Sequence, residues 1–373
     1  MRIAFLCKRR YMGKDVIHDR YARLYEIPFQ LARLGHDVRG FCLSYQGHDD
    51  GEWEHEAEPG KLYWESRSLG RVVLPALATY PRHLLQRLRA LAPDVLIGAS
   101  DIPHVALAGW LAKRLGVPYA ADLYDNFEGF GQARIPGMVT VLRRAVRGAA
   151  LVTTTSEPLK ELVMDTYHAR GEVLAMPSTV NKSVFHSRDR VACRRALNLP
   201  EDARLVGTAG GLHRDKGVDA LYAAWPAIAA RCPNAHLVLA GPFDVGFPPP
   251  VDPRVHYLGQ LPHARTAELF NALDAGVIYL RDTPFGRYCF PQKAYEMLAC
   301  GLPIASARIG VMQQLLASAP AGLYAADDPA DLARAVLDLL DRPMVATVPI
   351  DDWTHIVGGM EQRLGKIAEH AAS

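Results

Sequence analysis

The chain has 373 residues, 49% of them hydrophobic and 22% charged, with a formal net charge of +2 at pH 7. That length exceeds one typical core and suits two domains. The composition excludes a disordered or fibrous protein, and the balanced charge gives no bulk case for nucleic-acid binding. Six cysteines (Cys7, Cys42, Cys193, Cys232, Cys289 and Cys300) form neither a CxxC motif nor a Cys/His cluster at metal spacing. They read as buried thiols in a reducing compartment.

Strand-like and helix-like segments alternate from the start. Ile3–Cys7 is a buried-strand candidate, Val16–Leu34 has apolar residues at helical spacing with Pro28 inside, and Val38–Leu43 resumes as strand. This βαβ opening predicts a parallel sheet with helices on both faces. The apolar run before Lys8-Arg9-Arg10 is too short for a signal peptide, and no stretch has the roughly eighteen apolar residues of a membrane span. A cytoplasmic location is expected. The loop after the first strand places three cations and Gly13 at a strand end, which reads either as an anion-recognising loop or as a solvated basic one.

Residues 46–70 are polar and acidic and read as a hairpin or a loop. Tyr80–Leu91 and Ile135–Val146 are amphipathic and basic, open to contact with an anionic bilayer or to an ordinary place on a domain surface. Two further strand-plus-loop segments end in polar clusters: Asp101 and His104, then Asp122, Tyr124 and Asp125. Polar clusters at strand ends suit a binding crevice, although Asp125 also reads as a helix cap. Leu151–Glu157 predicts the last core strand of the first domain, with Ser156 capping the next helix. The domain boundary is expected within 178–190.

The second half opens with a strand, a Gly-rich loop and a helix, Arg204–Gly217, with Gly210, Gly211 and Lys216 in the loop. It matches neither the dinucleotide nor the Walker spacing. It reads either as a plain Gly-rich turn or as a loop whose backbone N–H groups, helix N-terminus and cation would converge on one anion. A strand ending at Gly241-Pro242 follows, then a Pro-rich loop, a short strand from Val255 and a helix over 264–273. Ala275–Leu280 is the next strand, Arg281–Tyr288 a polar loop, and Ala294–Cys300 a short helix stopped by Gly301 and Pro303. Glu296 therefore lies near a helix N-terminus beyond the carboxyl end of a strand. A helix over 328–341 and a last one from Trp353 to about His370 complete the chain.

The stretch Cys289–Pro303, through Phe290, Lys293, Glu296, Ala299, Gly301 and Pro303, resembles the carboxyl-half signature of GT-B glycosyltransferases of the retaining, nucleotide-sugar type. The Gly-rich loop resembles that family's diphosphate loop, and Val173–Asn181 its interdomain segment. The resemblance implies two doubly wound Rossmann-like domains facing across a cleft: 1–180 on the acceptor side, 181–350 binding the nucleotide sugar, and 351–373 as a helix crossing back to the first domain. It implies that Glu296 accepts hydrogen bonds from the donor ribose, a task that suits two carboxylate oxygens. Gly210, Gly211, Lys216, Gly241, Arg287, Tyr288, Phe290 and Lys293 would complete the donor site. Arg9, Arg10, Gly13, Asp101 and Tyr124 would face the acceptor. Lys216 and Arg214, with Asp125 and His104, are the catalytic candidates.

Three positions depart from the family pattern. Tyr288 stands where a second Glu touches the donor sugar, Gly211 where an Arg binds phosphate, and Tyr124 or Asp125 where a His lies near the sugar. Arg214, Arg287 and His213 are the candidates to replace the missing Arg. The implied activity is transfer of a hexose-type sugar from a UDP- or GDP-sugar to a glycan or lipid-linked acceptor, in cell-surface polysaccharide or glycoconjugate synthesis, with neither metal nor other cofactor. The competing readings are a nucleotide-sugar 2-epimerase of the same fold and a nucleotide-sugar-binding partner subunit without turnover.

Overall fold

The computed structural model describes residues 1–70 and 73–372. The chain divides into two compact units, Met1–Ser178 with Trp353–Ser373, and Thr179–Asp352. In chain order the first unit has β1 (Arg2–Lys8), β2 (Arg10–Tyr11), β3 (Lys14–Asp15), α1 (Ala22–Arg33), β4 (Asp37–Ser44), β5 (Gly51–His55), β6 (Lys61–Ser68), α2 (Val73–Leu91), β7 (Val95–Ala99), α3 (Ile102–Leu115), β8 (Tyr119–Leu123), α4 (Met138–Gly148), β9 (Leu151–Thr154), α5 (Glu157–Asp165) and β10 (Glu172–Ala175). The second has α6 (Arg190–Ala196), β11 (Arg204–Ala209), α7 (Val218–Arg231), β12 (Ala235–Ala240), β13 (Val255–Tyr257), α8 (His263–Ala272), β14 (Ala275–Ile278), α9 (Pro284–Tyr288), α10 (Gln292–Ala299), β15 (Ile304–Ala307), α11 (Met312–Leu315), β16 (Leu323–Tyr324) and α12 (Pro329–Asp341). The last helix, α13 (Trp353–Ala372), belongs to the first unit.

The first sheet runs β10-β9-β8-β7-β1-β4-β6-β5 and is parallel except for the β5–β6 pair. Its central strand is buried on both faces, and successive side chains serve different cores. Ile3, Phe5 and Cys7 pack with α1 and α13 residues, while Ala4 and Leu6 pack with Leu84, Leu88 and Leu111 of α2 and α3. The sheet order reverses at β1, flanked by β7 and β4, so the crevice beyond those strands' carboxyl ends is the place for a ligand. The second sheet runs β13-β12-β11-β14-β15-β16, all parallel, and reverses between β11 and β14.

Several local expectations are corrected. Val16 and Ile17 are buried but lie in a turn, and α1 starts only at Ala22; buried apolar residues in a turn mimic a helical stripe. Residues 51–68 form the hairpin. Leu151–Thr154 is not the outermost strand, because β10 pairs alongside it in register from Glu172. The cap after β8 is Asn126, whose side chain accepts from the Glu128 N–H at 3.1 Å, while Asp125 accepts from the Asn126 N–H at 2.7 Å. Ser156 does cap α5, accepting from the Leu159 N–H at 3.2 Å.

Candidate functional site

In the second unit the Gly210–Lys216 loop leaves β11 at the point where strand order reverses. Three bonds fix its path. The Gly210 N–H donates to the Ala240 carbonyl at 2.9 Å, the Leu212 N–H to the Pro242 carbonyl at 2.8 Å, and the Tyr279 hydroxyl, just past β14, to the Gly211 carbonyl at 2.8 Å. The neighbouring turn packs so closely that a Cβ on Gly241 would lie 2.0 Å from the Gly210 carbonyl oxygen. Gly241 also has φ +125°, which an L side chain rarely adopts.

Two ammonium groups reach this turn. Around the Cβ position of Gly211 the nearest atoms include Lys216 Nζ at 3.3 Å, and around that of Gly210 they include Lys293 Nζ at 3.4 Å. Lys216 ends the short 3-10 turn Arg214–Lys216, directly before the N-terminus of α7. Lys293 comes from α10, where it lies 5.1 Å from the Tyr279 ring centre. Burial, then the nearby Lys216 charge, pull its ammonium down to about 8. Glu296, one turn further along the same face of α10, is buried, and burial pushes its carboxyl up to about 7 against the pull of Lys293. Gln292 Nε2 donates to Glu296 Oε1 at 3.3 Å. The Phe290 ring meets Tyr295 edge-on at 4.8 Å and braces the start of the helix.

The two arginines considered as replacements for a phosphate-binding Arg are engaged elsewhere. Arg287 is exposed and paired with Asp282 at 2.5 Å. The Arg214 guanidinium lies 5.0 Å from the Phe247 ring centre, and its backbone N–H donates to Asp244 at 2.9 Å. Arg281 holds the Arg214 carbonyl while forking onto Asp219. Tyr288 ends α9, half-buried.

In the first unit, the ends of β1, β7 and β8 gather a polar cluster. The Lys8 ammonium donates to the Tyr124 hydroxyl at 3.0 Å, and the Lys8 N–H donates to Ser100 Oγ at 2.9 Å. Asp101 caps α3 and lies 2.6 Å from His104 Nδ1. Burial raises the Asp101 carboxyl, but the His104 ring and backbone more than offset this and leave it below its usual range. The Tyr45 hydroxyl also donates to Asp101, at 3.1 Å, and His104 Nε2 is buried without a partner.

The basic loop is less open than its sequence suggests. Arg9 is buried, forms an ion pair with Asp15 at 3.0 Å and lies over the Trp53 ring. Arg10 bonds Gln46, and Gly13 forms the tight β2–β3 turn at φ +80°. The amphipathic helices also spend cations internally: His83 and Arg87 of α2 on Glu65, Arg143 of α4 on Glu128.

Ser100, Tyr45, Tyr279 and the His213–Asp244 contact were not assigned from the sequence, and Lys8 was read only as one of three cations in the basic loop. Tyr279 and Ser100 could have been found as the first residues beyond strands at a reversal of strand order. His213 and Asp244 are 31 positions apart with no motif joining them. Among the described residues, no group of three or more His, Cys, Asp or Glu is placed to hold a metal ion, and no helix is long and apolar enough to cross a membrane.

A family model described as "Glycosyl transferases group 1" matches residues 203–342, and one described as "Glycosyl transferase 4-like domain" matches residues 22–178. The chain belongs to the group 1 glycosyl transferases. Its relatives include D-inositol 3-phosphate glycosyltransferase of Stackebrandtia nassauensis, 30% identical over 281 residues, which are 68% of this chain and 60% of that protein. D-inositol 3-phosphate glycosyltransferase 2 of Catenulispora acidiphila is 30% identical over 266 residues, 63% of this chain and 60% of its own length. The match therefore spans about three fifths of these relatives. The fold is GT-B, two Rossmann-like units. It is shared with sucrose-phosphate synthase from Thermosynechococcus elongatus (TM-score 0.71, 19% identity, 99% of this chain and 96% of the other) and with Anabaena HepE in complex with UDP (TM-score 0.66, 16% identity, 100% and 98%).

Proposed function

We propose that this group 1 glycosyl transferase moves a hexose-type sugar from a UDP- or GDP-sugar to a saccharide or lipid-linked acceptor, with retention of anomeric configuration. The observation that carries this reading is the placing of Lys216 and Lys293 over the Gly210–Gly211 turn, with Glu296 one helical turn beyond Lys293. A nucleoside diphosphate needs cations and a helix N-terminus at its phosphates and an acceptor group at its ribose diol, and these elements supply both. Cleavage of the sugar–phosphate bond builds negative charge on the leaving oxygen. Ammonium groups fixed beforehand stabilise that charge without reorganising.

The Asp101–His104–Lys8–Tyr124 cluster is the proposed acceptor-side surface. Names of the relatives direct the choice of acceptors, because inositol phosphate and sugar phosphates figure in them. A panel should therefore set small phosphorylated polyols beside oligosaccharides and lipid-linked sugars. Use in polysaccharide synthesis and contact with an anionic bilayer belong to this proposal too.

The test is calorimetric titration of UDP and GDP, followed by transfer assays with the matching sugars. Glu296→Ala should weaken nucleotide binding by about 1.5–3 kcal/mol, as for loss of charge-assisted hydrogen bonds. Lys216→Ala should mainly lower kcat. Wild-type affinity and turnover in both variants would remove this site from consideration. Incubation with the donor alone distinguishes a 2-epimerase, which would change the sugar without an acceptor.

A further inference from the structure

The missing arginine at position 211 leaves a question that Lys216 and Lys293 do not close. Gly211 is not merely lacking a side chain; its side-chain space is occupied. A Cβ there would meet His213 Cδ2 at 2.5 Å and Nε2 at 2.9 Å, with Lys216 Nζ at 3.3 Å. The His213 ring thus lies over the glycine, and its Nε2 edge shares the space beside Gly211 with the Lys216 ammonium.

Its orientation is set from behind. His213 Nδ1 lies 2.7 Å from Asp244 Oδ1, and the other Asp244 oxygen accepts the Arg214 N–H at 2.9 Å. Asp244 follows the Gly241-Pro242 turn that packs on Gly210, so the carboxylate is anchored by the same contact that shapes the loop. With the carboxylate on Nδ1, that nitrogen carries the proton, and a second proton on Nε2 gives an imidazolium whose donor is directed to the glycine turn.

We propose that His213, oriented by Asp244 and given room by Gly211, completes the diphosphate site as a third and titratable donor beside Lys216 and Lys293. This rests on the reading of the loop as a nucleoside-diphosphate site. Binding of the diphosphate then favours the imidazolium, and affinity gains a component that fades as pH rises. The charged groups around the ring are Asp244 at Nδ1, Arg214 and Asp215 on the same turn, Lys216 at the shared glycine and Lys293 reaching in from α10.

The experiment titrates UDP and GDP into the wild type, His213→Gln, Asp244→Asn, and the reference variants Lys216→Met and Glu296→Gln, at pH 6 and pH 8. Comparison with the wild type at each pH cancels the nucleotide's own titration. His213→Gln should weaken binding roughly tenfold at pH 6, the loss of one charge-assisted bond, and by no more than about threefold at pH 8. Asp244→Asn should give a smaller loss with a flattened pH dependence, which a merely structural loop contact would not produce. Proton uptake on binding, read from titrations in buffers of different ionisation heat, should fall in His213→Gln. If His213→Gln binds like the wild type at both pH values while Lys216→Met and Glu296→Gln are impaired, the role of His213 is overturned and the site stands. If the reference variants also bind normally, or neither nucleotide binds the wild type, the underlying reading is what has failed.

Discussion

Glu296 carries a conflict that is visible at the level of one side chain. Burial raises its carboxyl to about 7, far above the usual carboxylate range, with Lys293 opposing. A raised carboxyl pKa means that the folded state holds a proton the unfolded chain has released. The folded chain is therefore uncompromised below the unfolded value near 4.5. It loses stability as pH climbs through the window from there to about 7, and above that bears the full cost, on the order of 3 kcal/mol. Glu296→Gln removes the titration while keeping the shape. It should raise the denaturation midpoint of the ligand-free protein at pH 8, with the gain shrinking towards pH 5, and should at the same time weaken UDP or GDP binding. Urea titrations across that range check the first half and calorimetry the second. A variant no more stable at pH 8 than the wild type would show that the carboxylate is better compensated than its surroundings imply. Stability given up for a poised group is what a binding site requires. Glu296 and Lys216 could be singled out as candidates in the sequence because each lies in a short motif with its own chemistry. The approach of Lys293 to Gly210 was not, since it depends on how α10 packs against a loop about eighty residues earlier.

Single elements are held by groups of the same kind, used structurally. Arg23 of α1 is fully buried, forks onto Asp122 of β8 with Nη2 to Oδ1 at 2.6 Å, and donates to the Met176 carbonyl just beyond β10. Thr153 of β9 donates to the same carboxylate. Three strands and a helix thus meet at one ion pair. Asp122→Ala would leave an unpaired guanidinium in the core and should cost about 3–5 kcal/mol, read from urea unfolding of the first unit. Pairing it with Arg23→Met should recover much of the loss, since an apolar pair of similar volume is often neutral. Recovery of nothing would assign the whole cost to the hydrogen bonds with Thr153 and Met176. The sequence placed Asp122 in a strand-end cluster with Tyr124 and Asp125 as if all three faced a ligand. Asp122 is buried within β8, whereas Tyr124 lies just past the strand's end and is half-buried; place along the chain, not residue type, separates them. Alternating buried strands made the βαβ plan readable, whereas α1 was begun too early because Val16 and Ile17 are buried without being helical.

At the scale of the whole chain the first unit is discontinuous: its last helix arrives only after the second unit is complete. Trp353, Val357, Met360 and Leu364 are buried on one face of α13, spaced four, three and four apart, and join the core of Ile3, Phe5 and Leu31. His36, before β4, adds a contact from Nε2 to Glu361 at 3.0 Å. Burial of four such side chains is worth roughly 6–12 kcal/mol as an upper figure, which rivals the entire stability of a typical domain. Removal of residues 353–373 should therefore unfold the first unit and not merely trim it. Amide hydrogen exchange would read this directly: β1, β4 and β7 lose protection, while β11, β12 and β14 keep theirs, because none of the core around those strands comes from α13. Trp353→Ala is the milder version and should cost about 3–5 kcal/mol. Full protection of β1 in the truncated chain would show that the first sheet is closed by α1 alone, and the twenty-one residues after Asp352 would then have to be explained by something other than the core.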